Sequence, residues 1–271
     1  MSFSDMIDAL GYTFMRNALF GGMLISLCAG ILGVSLVLKR FSMIGDGLSH
    51  ISFGALAIGA AAGVAPLKIA IPIVIVAAIL LLRINEKSRI SGDSAIAVIS
   101  TGALAVGIIA SSVNGGVNID LNNYMFGSIL AMKKEYVIIA LVMTLVVLLM
   151  YFLLYNRIFS ITFDESFAVT TGIKTGIYTS IIAVLTAVTI VVGMQMMGAL
   201  LMSSFVVFPT LISMRICKSF RMTVVSSVIV AIICFTTGLF ISFSLNTPPG
   251  ATVVCVDLIM YIAAVLWDKC G

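Results

Sequence analysis

The chain has 271 residues, of which 61% are hydrophobic and only 10% charged, with a formal net charge of +4. A soluble domain carries roughly 25% charged residues, so this composition excludes a water-covered globular surface and makes lipid the main solvent. The basic residues sit in short connections between apolar runs, which argues against nucleic acid as a partner and for a lipid bilayer.

In chain order, residues 1–16 place Phe3, Met6, Ile7, Leu10 and Phe14 near helical spacing, which predicts an amphipathic interfacial helix. Asp5 and Asp8, without a basic stretch ahead of an apolar core, argue against a cleavable signal peptide. Apolar runs follow at 18–38, 45–64, 67–83, 94–112, 135–155, 177–194, 197–214, 222–244 and 251–267. Each is near the roughly 20 residues needed to cross a bilayer. Residues 124–132 are apolar but too short to cross, so they read as re-entrant or as a surface helix. The expected architecture is all-α: one polytopic transmembrane domain over 1–271 with eight or nine spans, depending on how the chain breaks between Met194 and Gly198. The cysteines Cys28, Cys217, Cys234, Cys255 and Cys270 have no CxxC spacing and read as small membrane-helix residues.

With nine spans and the N-terminus outside, Lys39, Arg40, Arg83, Lys87, Arg89, Arg157, Lys174, Arg215, Lys218, Arg221 and Lys269 face the cytoplasm. Only Arg16, Lys68, Lys133 and Lys134 face outward, so the bias of cytoplasmic loops toward Lys and Arg selects this orientation.

Four segments could carry chemistry. Asp46 and His50, the only histidine, lie four apart at the start of the second span. On a helix they share a face, and a carboxylate with a neutral imidazole suits Zn²⁺, Mn²⁺ or Fe²⁺ better than Ca²⁺. The plain alternative is an Asp–His hydrogen bond between packed helices. In the polar insert after the fifth span, Asp164 and Glu165 fall in the first turn of a short helix, with Thr162 as its N-cap and Gly172 as its end. Phe163 and Phe167 make an aromatic knob there, either a docking element for a partner protein or an ordinary surface helix. The region from Gly193 to Arg215 holds Met194, Met196, Met197, Met202, Ser203, Ser204 and Pro209. Met194, Met197 and Ser203 could line a pathway, or the methionines could be flexible packing residues. Asp257, inside the last span, needs a partner or a wet cavity, so it could touch the translocation path or make an interhelical hydrogen bond.

The stretch Lys39 to His50, ending Asp46-Gly47-Leu48-Ser49-His50, carries a resemblance. So do Phe163-Asp164-Glu165-Ser166-Phe167-Ala168, the run Leu200 to Pro209, and Pro248-Pro249-Gly250-Ala251-Thr252. Together they resemble the membrane-spanning permeases of bacterial ABC importers for zinc and manganese, the ABC-3 family. Gly47 stands where that family usually has alanine. The resemblance implies that Asp46 and His50 form the metal site. It also implies that residues 160–173, with Phe163, Asp164, Glu165 and Phe167, form the coupling helix that contacts an ATPase subunit. It implies a multi-pass protein of the bacterial cell membrane that works with an ABC ATPase, an extracytoplasmic metal-binding protein and a second copy of the permease. No permanently bound cofactor is expected; the divalent metal, zinc first, manganese next and iron possible, is cargo. The chain has no G-x-x-x-x-G-K-[ST] phosphate loop, so ATP hydrolysis is expected in the partner and not here. The alternatives are a permease for a metal chelate of siderophore or cobalamin type and an intramembrane enzyme using Asp46 and His50 as an acid–base couple.

Overall fold

A continuous run of apolar and small residues with no proline gives the longest early element, α1 (Thr13–Leu38). At 26 residues it rises about 39 Å, enough to cross a hydrocarbon core of about 30 Å. A computed structural model of the chain describes residues 11–87, 92–113, 127, 129 and 132–270. After α1 come α2 (Ile44–Ala61), α3 (Pro66–Lys87), α4 (Gly92–Val113), α5 (Lys134–Leu153), the short helices α6 (Tyr155–Phe163) and α7 (Glu165–Thr170), then α8 (Thr175–Met197), α9 (Ala199–Ile216), α10 (Phe220–Leu245) and α11 (Pro249–Cys270). Among the described residues this makes nine long helices and no strand. Seven of them are long and apolar enough to cross a membrane. α2 falls short of that measure because it holds Asp46, His50 and several Gly and Ser residues.

The helices are set side by side by close approaches that small residues permit. Gly22 of α1 faces the Phe235 ring of α10, and Gly33 faces the Val206 carbonyl and Thr210 of α9. Gly54 of α2 packs against Ala103 and Gly107 of α4 with backbone touching backbone, so no side chain fits at either glycine. In lipid such small-residue contacts replace the hydrophobic drive available in water. Many polar side chains in the bundle are satisfied locally or across helices. Ser49 and Ser52 donate to the Gly45 and Leu48 carbonyls, Ser227 of α10 donates to the Gly30 carbonyl of α1 at 3.0 Å, and the Cys28 thiol donates to Thr144 at 3.4 Å. Large apolar side chains on the outside, such as Val142, Leu145 and Leu149 of α5 and Ile259, Ile262 and Leu266 of α11, are exposed, as a bilayer permits.

Cross-helix contacts fix the direction of several helices relative to α1. Asn17 donates to the Met132 carbonyl near the start of α1, and the Tyr12 ring meets the Phe243 ring, near the end of α10, in a tilted contact. At the other end Lys39 meets Glu165 and Thr179, and Arg215 meets Asp268. Lys39, Arg40, α6, α7, Lys174, Arg215, Lys218 and Arg221 therefore collect at one end, the cytoplasmic one by their charge. The chain breaks between α8 and α9 at Gly198, with φ 89° and ψ 161°, a conformation open to glycine alone, so the region from Met194 to Gly198 separates two helices.

Two expectations fall differently. Residues 1–10 of the amphipathic segment and the short apolar stretch 124–132, apart from residues 127, 129 and 132, lie outside the described residues; Phe14 and Arg16 belong to α1 itself. The stretch 160–173 is not one helix. α6 runs through Thr162 to Phe163, the chain extends at Asp164 (φ −148°), and α7 begins at Glu165. Asp164, not Thr162, is the N-cap: its Oδ1 accepts the Phe167 N–H at 2.9 Å. A carboxylate placed at the positive end of a helix does this better than a threonine already committed to the preceding helix. Gly172 (φ 80°) ends α7, with Gly172 N–H on the Val169 carbonyl and Ile173 N–H on the Ala168 carbonyl.

Candidate metal pathway

α2 is buried on almost every side. Between Ile44 and Ala57, only Asp46 and His50 are partly open. Its rotational setting explains this. Gly45 lies against Val206 and Ser203 of α9, while Gly47 lies against Ile96 and Ser100 of α4. At 100° per residue Asp46 and His50 point between those two directions, into the cleft separating α9 from α4. Gly33 of α1 meets the same Val206. The pair therefore stands level with Gly33, about 9 Å of helix rise inside Lys39, within the bilayer rather than at its edge.

The His50 Nε2 and Asp46 Oδ2 atoms are 3.6 Å apart, with side chains 31% and 50% exposed. Two ligands of one tetrahedral zinc, each at 2.0–2.2 Å, stand about 3.4 Å apart. The pair is thus already near the spacing of two ligands on one ion, and slightly longer than a hydrogen bond. Asp46 also sits in the first turn of α2, where the helix dipole favours its negative charge. Among the described residues no third His, Cys, Asp or Glu joins the pair. Ser203 is partly open on the α9 wall of the cleft; its hydroxyl donates to the Leu200 carbonyl at 3.0 Å and keeps its lone pairs free.

The other sequence candidates separate. Met194 and Met197 are buried in the apolar core and do not open on the cleft, which is what an apolar, flexible side chain does between helices. Asp257 is fully buried on the far side of α9, where its Oδ2 accepts from Ser204 at 3.3 Å; it ties α11 to α9 and lines no opening. Phe163 and Phe167 are 69% and 61% exposed at the cytoplasmic end, while Ala168 behind them is buried. Glu165 turns inward to Lys39, at 3.3 Å. Lys39 is the residue that reading the sequence missed as more than a topological charge. Its only local signal is a lysine at a helix end followed by a chain reversal.

The chain as a whole is similar to known proteins. The chain is 30% identical over 255 residues (94% of this chain, 90% of the relative) to the "Probable metal transport system membrane protein" of Thermotoga maritima. It is 28% identical over 234 residues (86% of this chain, 89% of the relative) to the high-affinity zinc uptake system membrane protein ZnuB of Buchnera aphidicola. Its fold superposes on PsaBC from Streptococcus pneumoniae, solved in complex with a Fab, with a TM-score of 0.87 and 26% identity, covering 97% of this chain and 95% of that one. The model of the ABC 3 transport family matches residues 11–268. The chain belongs to the ABC 3 transport family and is a multi-pass membrane permease for metal transport.

Proposed function

We propose that this permease carries bare divalent metal ions inward, zinc foremost, past Asp46 and His50, driven by a separate ABC ATPase and fed by an extracytoplasmic metal-binding protein. The observation that carries this reading is the 3.6 Å carboxylate–imidazole pair, the open face of an otherwise buried helix inside the bilayer. Ionisable groups at that depth cannot face lipid, so their cleft is lined by protein or water. Two ligands leave a tetrahedral ion half-coordinated. A second copy of the chain, set across the same cleft, would supply another Asp46 and His50, and water could do so in its place. Weak, incomplete coordination suits a transported ion, which must be captured and then released. Zinc is favoured over manganese because an imidazole in a small tetrahedral set matches its preferences. The chain's own part is to hold these ligands apart at the spacing an ion needs and to move them.

Competition uptake tests the cargo. In proteoliposomes containing the permease, its ATPase and the binding protein, unlabelled Zn²⁺ is expected to suppress labelled zinc uptake fully and Mn²⁺ to suppress it at higher concentration. An iron chelate is expected to leave uptake unaffected. Suppression by the chelate alone would overturn the bare-ion reading.

A further inference from the structure

Lys39 caps α1 at the cytoplasmic end, and its side chain is only 9% exposed. A lysine that buried is rare without a partner. It has two, both outside its own helix: the Glu165 carboxylate in the first turn of α7, at 3.3 Å, and the Thr179 hydroxyl of α8, to which it donates at 3.2 Å. One ammonium thus joins three elements.

The chain beyond Lys39 is stiff. Arg40 is left-handed (φ 64°), its N–H bonds the Val37 carbonyl at 3.0 Å, and the Phe41 N–H bonds the Leu36 carbonyl at 2.9 Å. This is a complete Schellman cap, and the Phe41 side chain that follows it is buried in the core. A non-glycine residue in that conformation persists only where its surroundings hold it. The Ile44 N–H then bonds the Phe41 carbonyl at 3.0 Å, and α2 begins, with Asp46 in its first turn. From Glu165 to Asp46 the connection is therefore an ion pair, a capped turn and one helical turn, with no slack loop between them.

We propose that Lys39 is the positioning residue that transmits displacement of α7 to the metal-bearing start of α2. This rests on the reading of α7 as the element that meets the ATPase. Movement of α7 draws on Glu165, Glu165 on Lys39, and Lys39 on the capped turn that sets where Asp46 stands in the cleft. Glu165 is 41% exposed, so water can replace the ion pair as it breaks and re-forms, which lets the contact hold two arrangements.

The test uses the full complex in proteoliposomes and reads zinc transported per ATP hydrolysed for wild type, Glu165→Gln, Lys39→Met, the double variant and Lys39→Arg. A defect in folding or docking alone lowers both quantities and leaves their ratio intact; loss of the link lowers the ratio. The ratio is expected to fall about five- to tenfold in each single variant, to fall no further in the double variant, and to recover in Lys39→Arg. An unchanged ratio in Glu165→Gln, a change of equal size at a partly exposed side chain, overturns the proposal even if Lys39→Met fails to assemble. So does a double variant in which the two losses multiply. Absence of zinc transport by the wild-type complex would instead contradict the functional reading itself.

Discussion

His50→Ala is expected to lower metal transport by about 100-fold, and Asp46→Ala by a similar factor. Removing even the outer partners of metal ligands costs about 10–100-fold, and these two atoms, 3.6 Å apart, are the pair that would touch the ion. Neither substitution should unfold the chain. Both side chains are partly open on a helix whose packing is carried by Gly45, Gly47, Leu48 and Gly54, and surface-type changes usually cost within about 0.5 kcal/mol. Asp46→Asn sharpens the result. It keeps the shape and removes the charge, so it separates metal affinity from steric effects. Uptake of labelled zinc, normalised to the amount of folded permease, checks all three; wild-type uptake in both alanine variants would refute the assigned roles.

Phe163→Ala and Phe167→Ala together are expected to weaken binding of the ATPase subunit by well over 30-fold, since truncating one buried aromatic anchor typically costs about 2 kcal/mol or more. The two rings are the most exposed aromatic surface of the α6–α7 junction. Asp164 holds the first turn of α7 and Ala168 seats it against the bundle, so the rings are presented on a fixed platform. Phe163 also leans on Phe159, with centroids 5.4 Å apart, so part of its effect is local. Phe167 has the cleaner interface role. Titration of the purified permease with the ATPase subunit measures the loss, and unchanged affinity in the double variant would remove α7 as the contact.

Local pattern carried the spans well, because a 20-residue apolar run has few alternatives in lipid. The end of α7 at Gly172 and the shared face of Asp46 and His50 were equally local and equally legible. What the pattern could not show was orientation within the bundle. α1 is apolar all round, so no periodicity marks which side meets α9 or α10. The same uniformity hid the burial of Met194 and Met197, which looked no different from Ser203 on the same stretch. Thr162 and Asp164 compete as caps within three residues, and the winner was decided by where α6 stops. The Lys39–Glu165 pair joins segments far apart in sequence: Lys39 had been absorbed into an orientation argument and Glu165 into the first turn of a short helix.

The central claim is that a metal ion is held by Asp46 and His50 on its way through. Equilibrium zinc binding to the purified permease in detergent tests it most directly. Wild type is expected to bind about one saturable zinc per two chains, as four ligands drawn from two copies would give, and the Asp46→Ala/His50→Ala variant is expected to lose that site. Binding of undiminished stoichiometry and affinity in the double variant would contradict it.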